Sequence, residues 1–366
     1  MPNIITQAKR AVSFVLLTAL TVATQAKAAE SYREATLVRD LRWPWSVAAI
    51  GKNEFLITER EGRLLRVDIA GNKVPISGTP DTLFAGQGGF FDVITHPLFA
   101  INQLIYLSFA SGTESANATT VWRARLDGDA LVDAEEILRV TPDKNTPQHY
   151  GGRMLFLRDG TLLVTSGEGF ELREEAQSMD SELGKVLRVS DKGSPRGIYN
   201  PGESSQRIYT LGHRNPQGIA MNPDNGEVFL HEHGPKGGDE VNLLEEGFNY
   251  GWPVATHGID YSGALVSPFK RIEGMQDPIW TWVPSIAPSG MAWYGKGEFR
   301  SWQNSLFIGA LVDKEVRRLE IIDGEVLKEE SLFSNLNERI RDVRVFDDQI
   351  YLLTDSEQGR LIRISP

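Results

Sequence analysis

One short pattern recurs along this chain: two or three β-forming residues closed by a small or polar residue. It reads Phe55-Leu56-Ile57-Thr58, Ile105-Tyr106-Leu107-Ser108, Leu162-Leu163-Val164-Thr165, Val228-Phe229-Leu230-His231, Leu306-Phe307-Ile308-Gly309 and Tyr351-Leu352-Leu353-Thr354. Most copies are followed, across a Gly-containing turn, by a second strand-like run, as in Arg63-Leu64-Leu65-Arg66-Val67-Asp68, Lys185-Val186-Leu187-Arg188-Val189 and Arg360-Leu361-Ile362-Arg363-Ile364. A third element often precedes the pattern, as in Trp45-Ser46-Val47-Ala48, Gly218-Ile219-Ala220-Met221 and Ser289-Gly290-Met291-Ala292. Strand and turn units repeating every roughly 45–80 residues predict the blades of a β-propeller with loops of variable length. Six copies predict an all-β, six-bladed β-propeller with four-stranded antiparallel blades. A lone sheet of that size cannot bury both faces; radial packing buries them and leaves only short edges. Long helical periodicity is missing, and a β-sandwich is the alternative arrangement. The longest gaps, 166–205 and 232–285, are excursions of the kind that rise on one face of a propeller and build its site.

Residues 1–28 break the pattern. Lys9 and Arg10 precede an apolar run from Ala11 to Thr24, and Ala26-Lys27-Ala28 fits a small-x-small cleavage site. A signal peptide is expected here, a buried helix being the alternative, and residues 29–366 are expected to form a single propeller domain. No other apolar stretch approaches bilayer-spanning length, so the expectation is an exported, periplasmic protein without stable membrane insertion. Composition narrows the chemistry. The 366 residues hold 49 Asp+Glu against 38 Lys+Arg, a formal charge of −11, and no cysteine. Lys9, Arg10 and Lys27 are the only charges of the leader, so its removal takes the balance to about −14. An acidic chain is a poor phosphate-backbone binder, which argues against a nucleic-acid partner. Zero Cys excludes a disulfide framework, thiolate metal sites and a cysteine nucleophile.

Four segments carry candidate chemistry. In Gln148-His149-Tyr150-Gly151-Gly152-Arg153, a histidine beside two glycines can meet a ligand closely and take a proton from a hydroxyl, or be a hydrogen-bonded loop residue. Arg214-Asn215-Pro216-Gln217-Gly218 offers several donors to a planar oxyanion, or is a surface turn. In His231-Glu232-His233-Gly234-Pro235-Lys236-Gly237-Gly238-Asp239-Glu240, the H-x-H spacing along a strand is compatible with zinc or copper. The free carbonyls and carboxylates that follow suit calcium better. Glu338-Arg339-Ile340-Arg341-Asp342-Val343-Arg344 places Arg339 and Arg341 on one strand face, which implies an anionic partner or a solvated patch balanced by Asp342 and Glu338. No P-loop, dinucleotide fingerprint or G-x-S-x-G elbow stands where a strand and helix would frame it. Asn117-Ala118-Thr119 is an N-glycosylation sequon.

Taken in order, these segments resemble one family. Gln87-Gly88-Gly89, His149 to Arg153, Arg214 to Gly218, Glu232 to Glu240, Asn249-Tyr250-Gly251-Trp252-Pro253, Pro284 to Met291 and Arg339 to Val343 are similar to the soluble aldose sugar dehydrogenases of the glucose/sorbosone dehydrogenase family, which depend on pyrroloquinoline quinone (PQQ). The resemblance runs from about Leu41 to Ile364. It implies a six-bladed propeller with PQQ across its central opening, Ca²⁺ polarising the quinone, and oxidation of an aldose C1 hydroxyl to a lactone by hydride transfer to the quinone C5. On this resemblance His149 is the general base. Gln87, Arg214, Asn215, Gln217, Ala310, Leu311, Arg339 and Arg341 contact the cofactor, Gln87 close to sugar and base. Carbonyls of Gly234 and Pro235 ligate the bridging calcium, and Glu240 and Tyr250 match positions linked to a further calcium. An aldose substrate and an unidentified periplasmic electron acceptor are the implied partners.

One position departs. Relatives place a Lys directly after Gly-Ala/Ser-Leu, where it reaches the quinone; here Gly309-Ala310-Leu311 is followed by Val312, and Lys314 comes two residues on. A two-residue offset on a strand keeps the same face. Two other readings stay open: a calcium-dependent propeller lactonase, and a non-catalytic sugar-binding propeller. Substrate selection is expected near Trp280, Trp282 and the 166–205 excursion.

Overall fold

The computed structural model describes residues 30–197 and 206–366. The expected signal peptide, residues 1–28, lies outside the described residues, as does 198–205 of the first excursion. The described chain forms six antiparallel four-stranded sheets. Blades 1 to 5 each take four successive strands and start at Pro44–Gly51, Phe90–Thr95, Met154–Phe156, Pro216–Met221 and Pro288–Tyr294. Blade 6 starts at Ile340–Phe346 and takes its fourth strand from the other end of the chain: Arg33–Leu41 pairs antiparallel with Gly359–Ser365. First strands touch their neighbours all the way round, blade 6 meeting blade 1. The six sheets therefore close into a propeller, sealed by hydrogen bonds between the two ends of the fold.

The recurrent pattern is the second strand of every blade: Glu54–Glu59, Leu104–Thr113, Leu162–Ser166, Val228–Glu232, Ser305–Ala310 and Gln349–Thr354. Such strands have blades stacked on both faces, so they read as unbroken apolar runs instead of alternating ones. Leu162–Ser166, Val228–Glu232 and Ser305–Ala310 are buried at every residue. The core is accordingly six wedges, one between each pair of adjacent blades. Leu56 and Leu64 of blade 1 meet Phe90 and Leu107 of blade 2 in one wedge; Phe307 of blade 5 meets Val343 and Leu352 of blade 6 in another. Each fully buried Leu or Phe contributes about 1.5–3 kcal/mol.

Near the ring's centre the apolar packing gives way to buried charge. Asp92 accepts from Ser46 Oγ (2.6 Å), Arg344 Nη2 (2.6 Å) and the Met154 amide (3.0 Å). Asp342 accepts from the Val47 amide (3.1 Å) and Arg344 Nε (2.9 Å), and pairs with Arg153 Nη1 (2.9 Å). Two carboxylates and two guanidiniums thus tie together blades 1, 2, 3 and 6, each charge meeting its opposite, as burial requires. Arg344 belongs to this knot and not to a solvated patch. The sequon is also consumed internally: Asn117 is fully buried, its Nδ2 donates to the Thr113 and Glu114 carbonyls, and its Oδ1 accepts from Lys144 and Tyr150. A glycan has no access to it in the folded protein. Among the described residues, no helix is long and apolar enough to cross a membrane.

Candidate active site

In an antiparallel blade the first strand starts where the second ends, so both kinds of segment open on one face. A cavity of about 670 Å³ lies there. Gln87, Asn215, Gln217 and Arg339 enter it at the starts of first strands, whereas Arg60, His233, Leu311 and Asp355 enter past the ends of second strands. Trp45, Phe91 and Tyr150 supply its apolar surface.

His149 sits beside this cavity in the left-handed region, φ 46°, and is 3% exposed. Its amide donates to Gln87 Oε1 at 2.9 Å. The close approach behind it needs glycine: a Cβ on Gly167 would stand 2.3 Å from the His149 carbonyl oxygen. Glu168 Oε2 lies 3.1 Å from His149 Nδ1 and also accepts from the Phe170 amide. A carboxylate accepts only, so it places the imidazole proton on Nδ1 and leaves Nε2 with a free lone pair. Burial drives the His149 pKa down to about 4, against the upward pull of Glu168. The ring is therefore neutral at ordinary pH and able to accept a proton. Asn215 Oδ1 accepts from the Gly151 amide (3.2 Å) and from Gln217 Nε2 (3.2 Å), joining blade 4 to the loop of the base.

Arginine dominates the opposite side. Arg339 Nε (3.0 Å) and Arg341 Nη2 (3.0 Å) both donate to Asp355 Oδ2. Burial works against ionising Asp355, but Arg341 and Arg339 more than offset it and hold its carboxyl below the usual range. The anionic partner implied by the arginine pair is thus met in part by the protein itself. Arg60, whose Nη2 donates to the Gly86 and Gly88 carbonyls (2.7 and 2.9 Å), adds a third guanidinium. Three cations around one carboxylate leave a surplus of positive charge for an anion.

Other expected residues part company. Ala310 is fully buried in the wedge between blades 4 and 5 and takes no part in the cavity surface, which Leu311 does reach. Arg214 lies behind the cavity, its Nη1 donating to the His233 (3.1 Å) and Gly234 (2.8 Å) carbonyls. One of the two carbonyls expected to ligate calcium is therefore held by a guanidinium. The second strand of blade 4 ends at Glu232, which separates the H-x-H pair: His231 is buried against Gly218, and His233 reaches the cavity with Nε2 2.6 Å from the Pro288 carbonyl. Glu240 stands beside Glu232 in the sheet; burial, then Glu232 and Asp239, push its carboxyl well above the usual range. Tyr250 instead stacks on His213 and bonds through its hydroxyl to the Leu243 carbonyl and Glu245 amide, both 2.8 Å. Among the described residues, no group of three or more His, Asp or Glu forms a metal-holding cluster.

Comparison with known proteins places the chain. The family model described as Glucose / Sorbosone dehydrogenase matches residues 41–363. The chain belongs to this family. The aldose sugar dehydrogenase YliI of Escherichia coli is 38% identical over 366 residues, 97% of this chain and 98% of that one. Quinoprotein glucose dehydrogenase B of Acinetobacter calcoaceticus is 27% identical over 425 residues, covering 89% of this chain and 86% of the other. The apo crystal structure of the soluble aldose sugar dehydrogenase from Escherichia coli superposes with a TM-score of 0.88 at 37% identity, over 92% of this chain and 100% of that one.

The departure after Leu311 is structural as well as chemical. The second strand of blade 5 stops at Ala310, so strand alternation does not carry Lys314 onto the face of residue 312. Lys314 sits in a turn with φ 57° and lines a neighbouring cavity of about 560 Å³ that shares Arg339 and Asp355 with the first. Val312 is 58% exposed.

Glu168, Asp355 and Arg60 escaped the motif reading. Each stands one to three residues beyond the Thr that closes the recurrent sequence pattern of a second strand: Thr165, Thr354 and Thr58. Once the blade pattern is assigned, that offset is the signal that finds them.

Proposed function

We propose that this family member oxidises the C1 hydroxyl of aldose sugars to lactones in a PQQ-dependent reaction. The observation that carries the reading is the pairing of His149 and Glu168 beside a cavity whose other side is arginine. The cavity fits the cofactor: apolar aromatic surface for a planar ring system, and surplus guanidinium charge for its carboxylates. The name of the Acinetobacter relative, a quinoprotein, points the same way. Arg339 and Arg341 would hold PQQ, with Gln87, Asn215 and Gln217 at its polar edge. When bound, the quinone supplies the hydride acceptor and Ca²⁺ the Lewis acid that polarises it. The Gly234 and Pro235 carbonyls would hold that calcium, once Arg214 releases the first of them.

The protein's own task is proton transfer and positioning. His149 Nε2 takes the C1 hydroxyl proton, and Glu168 stabilises the imidazolium that forms. Arg339 and Arg341 present fixed positive charge where negative charge develops. The readings as lactonase and as passive binder fare worse. The axial carboxylates Asp92 and Asp342 are spent on Arg153 and Arg344, and a passive binder has no use for an oriented neutral base. The reading includes export to the periplasm and delivery of the electrons to an acceptor there. Reconstitution tests it: apoprotein with PQQ and Ca²⁺ should bind the quinone and reduce an artificial dye with aldoses. No quinone binding and no dye reduction across common aldoses would refute it.

A further inference from the structure

A sugar dehydrogenase needs more than a base: it must hold a hydroxyl-rich ring that has apolar C–H faces. Such faces pack on aromatic rings, whose π-clouds carry partial negative charge. Trp280 and Trp282, near which substrate selection is expected, are themselves engaged elsewhere. Trp282 is 6% exposed in the wedge between blades 4 and 5, and its indole Nε1 donates to Glu329 at 2.7 Å. Trp280 packs against the same wedge.

Two other rings stand at the base. Phe170 meets His149 edge to face, centroids 5.2 Å apart. Its backbone is held at φ 71°, a region bulky residues rarely adopt, by the loop whose Glu168 orients the histidine. Strain of this kind persists only where the surroundings fix it. Tyr261 stacks on Phe170 at 6.3 Å and 30°, and lies 6.0 Å from the Arg214 guanidinium. It nevertheless keeps 59% of its surface exposed. The ring is not on a loose tip: the Asp260 amide donates to the Ala264 carbonyl (2.9 Å), and Ile259 bridges to Lys236 (2.9 Å), within the segment that ends blade 4's cavity edge. Phe170 and Tyr261 thus come from the blade 3 and blade 4 excursions and converge beside the base.

We infer that Phe170 and Tyr261 form an aromatic platform that binds the apolar face of the sugar, Phe170 next to the reacting end and Tyr261 further out. The inference rests on the sugar-oxidising reading above. Tyr261 is a specificity residue, not a catalytic one, and its exposure makes Tyr261→Ala safe for folding.

The test compares wild type, Tyr261→Ala and Tyr261→Trp in two measurements: calorimetric titration of PQQ-loaded protein with glucose and maltose, and dye-reduction kinetics on both sugars. Tyr261→Ala should weaken sugar binding and raise KM about three- to tenfold with kcat within about twofold. The effect should be greater for maltose, and Tyr261→Trp should restore binding. PQQ affinity should not change. Unaltered sugar affinity and KM in Tyr261→Ala would overturn the platform, as would a loss confined to PQQ binding. Failure of the wild type to oxidise any aldose with PQQ bound would instead sink the parent reading, and the calorimetry would still decide whether Tyr261 binds sugar.

Discussion

The two sides of the cavity solve opposite electrostatic problems with the same fold. On the His149 side charge is suppressed: the imidazole is 3% exposed, its pKa is driven down by burial, and one carboxylate fixes its proton. On the Arg339 side charge is concentrated: Arg339 and Arg341 share the Asp355 carboxylate, Arg60 is held by the Gly86 and Gly88 carbonyls, and the three guanidiniums keep a positive surplus. A base must be neutral to accept a proton, whereas an anion site must be charged before its ligand arrives. Blade ends separate the two. His149 comes from the approach to blade 3, and the arginine pair from the start of blade 6, across the ring. Burial therefore works for one side and against the other, and only the second needs internal pairing to withstand it.

Removing the base should break the comparison most sharply. His149→Ala should lower kcat about 10²–10⁴-fold, as expected for loss of a general base, while PQQ still binds. Wild-type turnover in this variant would remove His149 from the reaction. The opposite side should respond in the opposite way. Arg341→Leu should weaken PQQ binding about 10- to 100-fold, the scale of a charge-assisted contact, with a smaller loss of kcat at saturating quinone. The same variant should raise the Asp355 pKa, because Arg341 is the main influence holding it down against burial. Quinone titration by absorbance and NMR titration of Asp355 would check both.

Glu168→Gln acts on the neutral side with a milder effect. A loss of about tenfold in kcat/KM is expected from a less well oriented and less stabilised imidazolium. The pH profile gives the sign. Wild-type kcat/KM should be level through neutral pH and fall as His149 protonates near pH 4. Glu168 raises that pKa, so Glu168→Gln should move the acid limb to lower pH; a limb that stays in place would make Glu168 merely structural.

The fold was legible because burial on both faces writes an unbroken apolar run into every second strand, and six such runs count the blades. The site was legible in part. Gly-rich segments such as Tyr150-Gly151-Gly152 and strand starts such as Arg339 to Arg341 stand out in one dimension. Glu168 and Asp355 do not, since each is a single carboxylate in an acidic chain and gains meaning only when a distant partner meets it. Phe170 and Tyr261 lie 91 residues apart in two excursions and come together only in three dimensions. Ala310, the last residue of its strand, faces the blade interface while its successor Leu311 faces the cavity, a difference the motif alone does not display. The same-face expectation for Lys314 failed because the strand had already ended.

Val312 offers the finest adjustment of the charged side. The family resemblance implies a lysine there, whereas this chain has an exposed apolar side chain whose amide donates to the Ile286 carbonyl at 3.1 Å. Lys314 is on the neighbouring cavity, so its charge reaches the quinone site only across Arg339 and Asp355. Val312→Lys would add a fourth cation to a site that already holds three guanidiniums. The gain is bounded by their mutual repulsion and by solvent at an exposed position, so PQQ affinity should rise no more than about three- to tenfold. It should also fade at high salt, because a charge in contact with solvent is screened over about 3 Å at 1 M ionic strength. A salt-independent gain would mean new packing at position 312 instead of new charge. No gain at low salt would show that Arg60, Arg339 and Arg341 already satisfy the anion, and that the lost lysine was replaced in function by the arginines, not by Lys314.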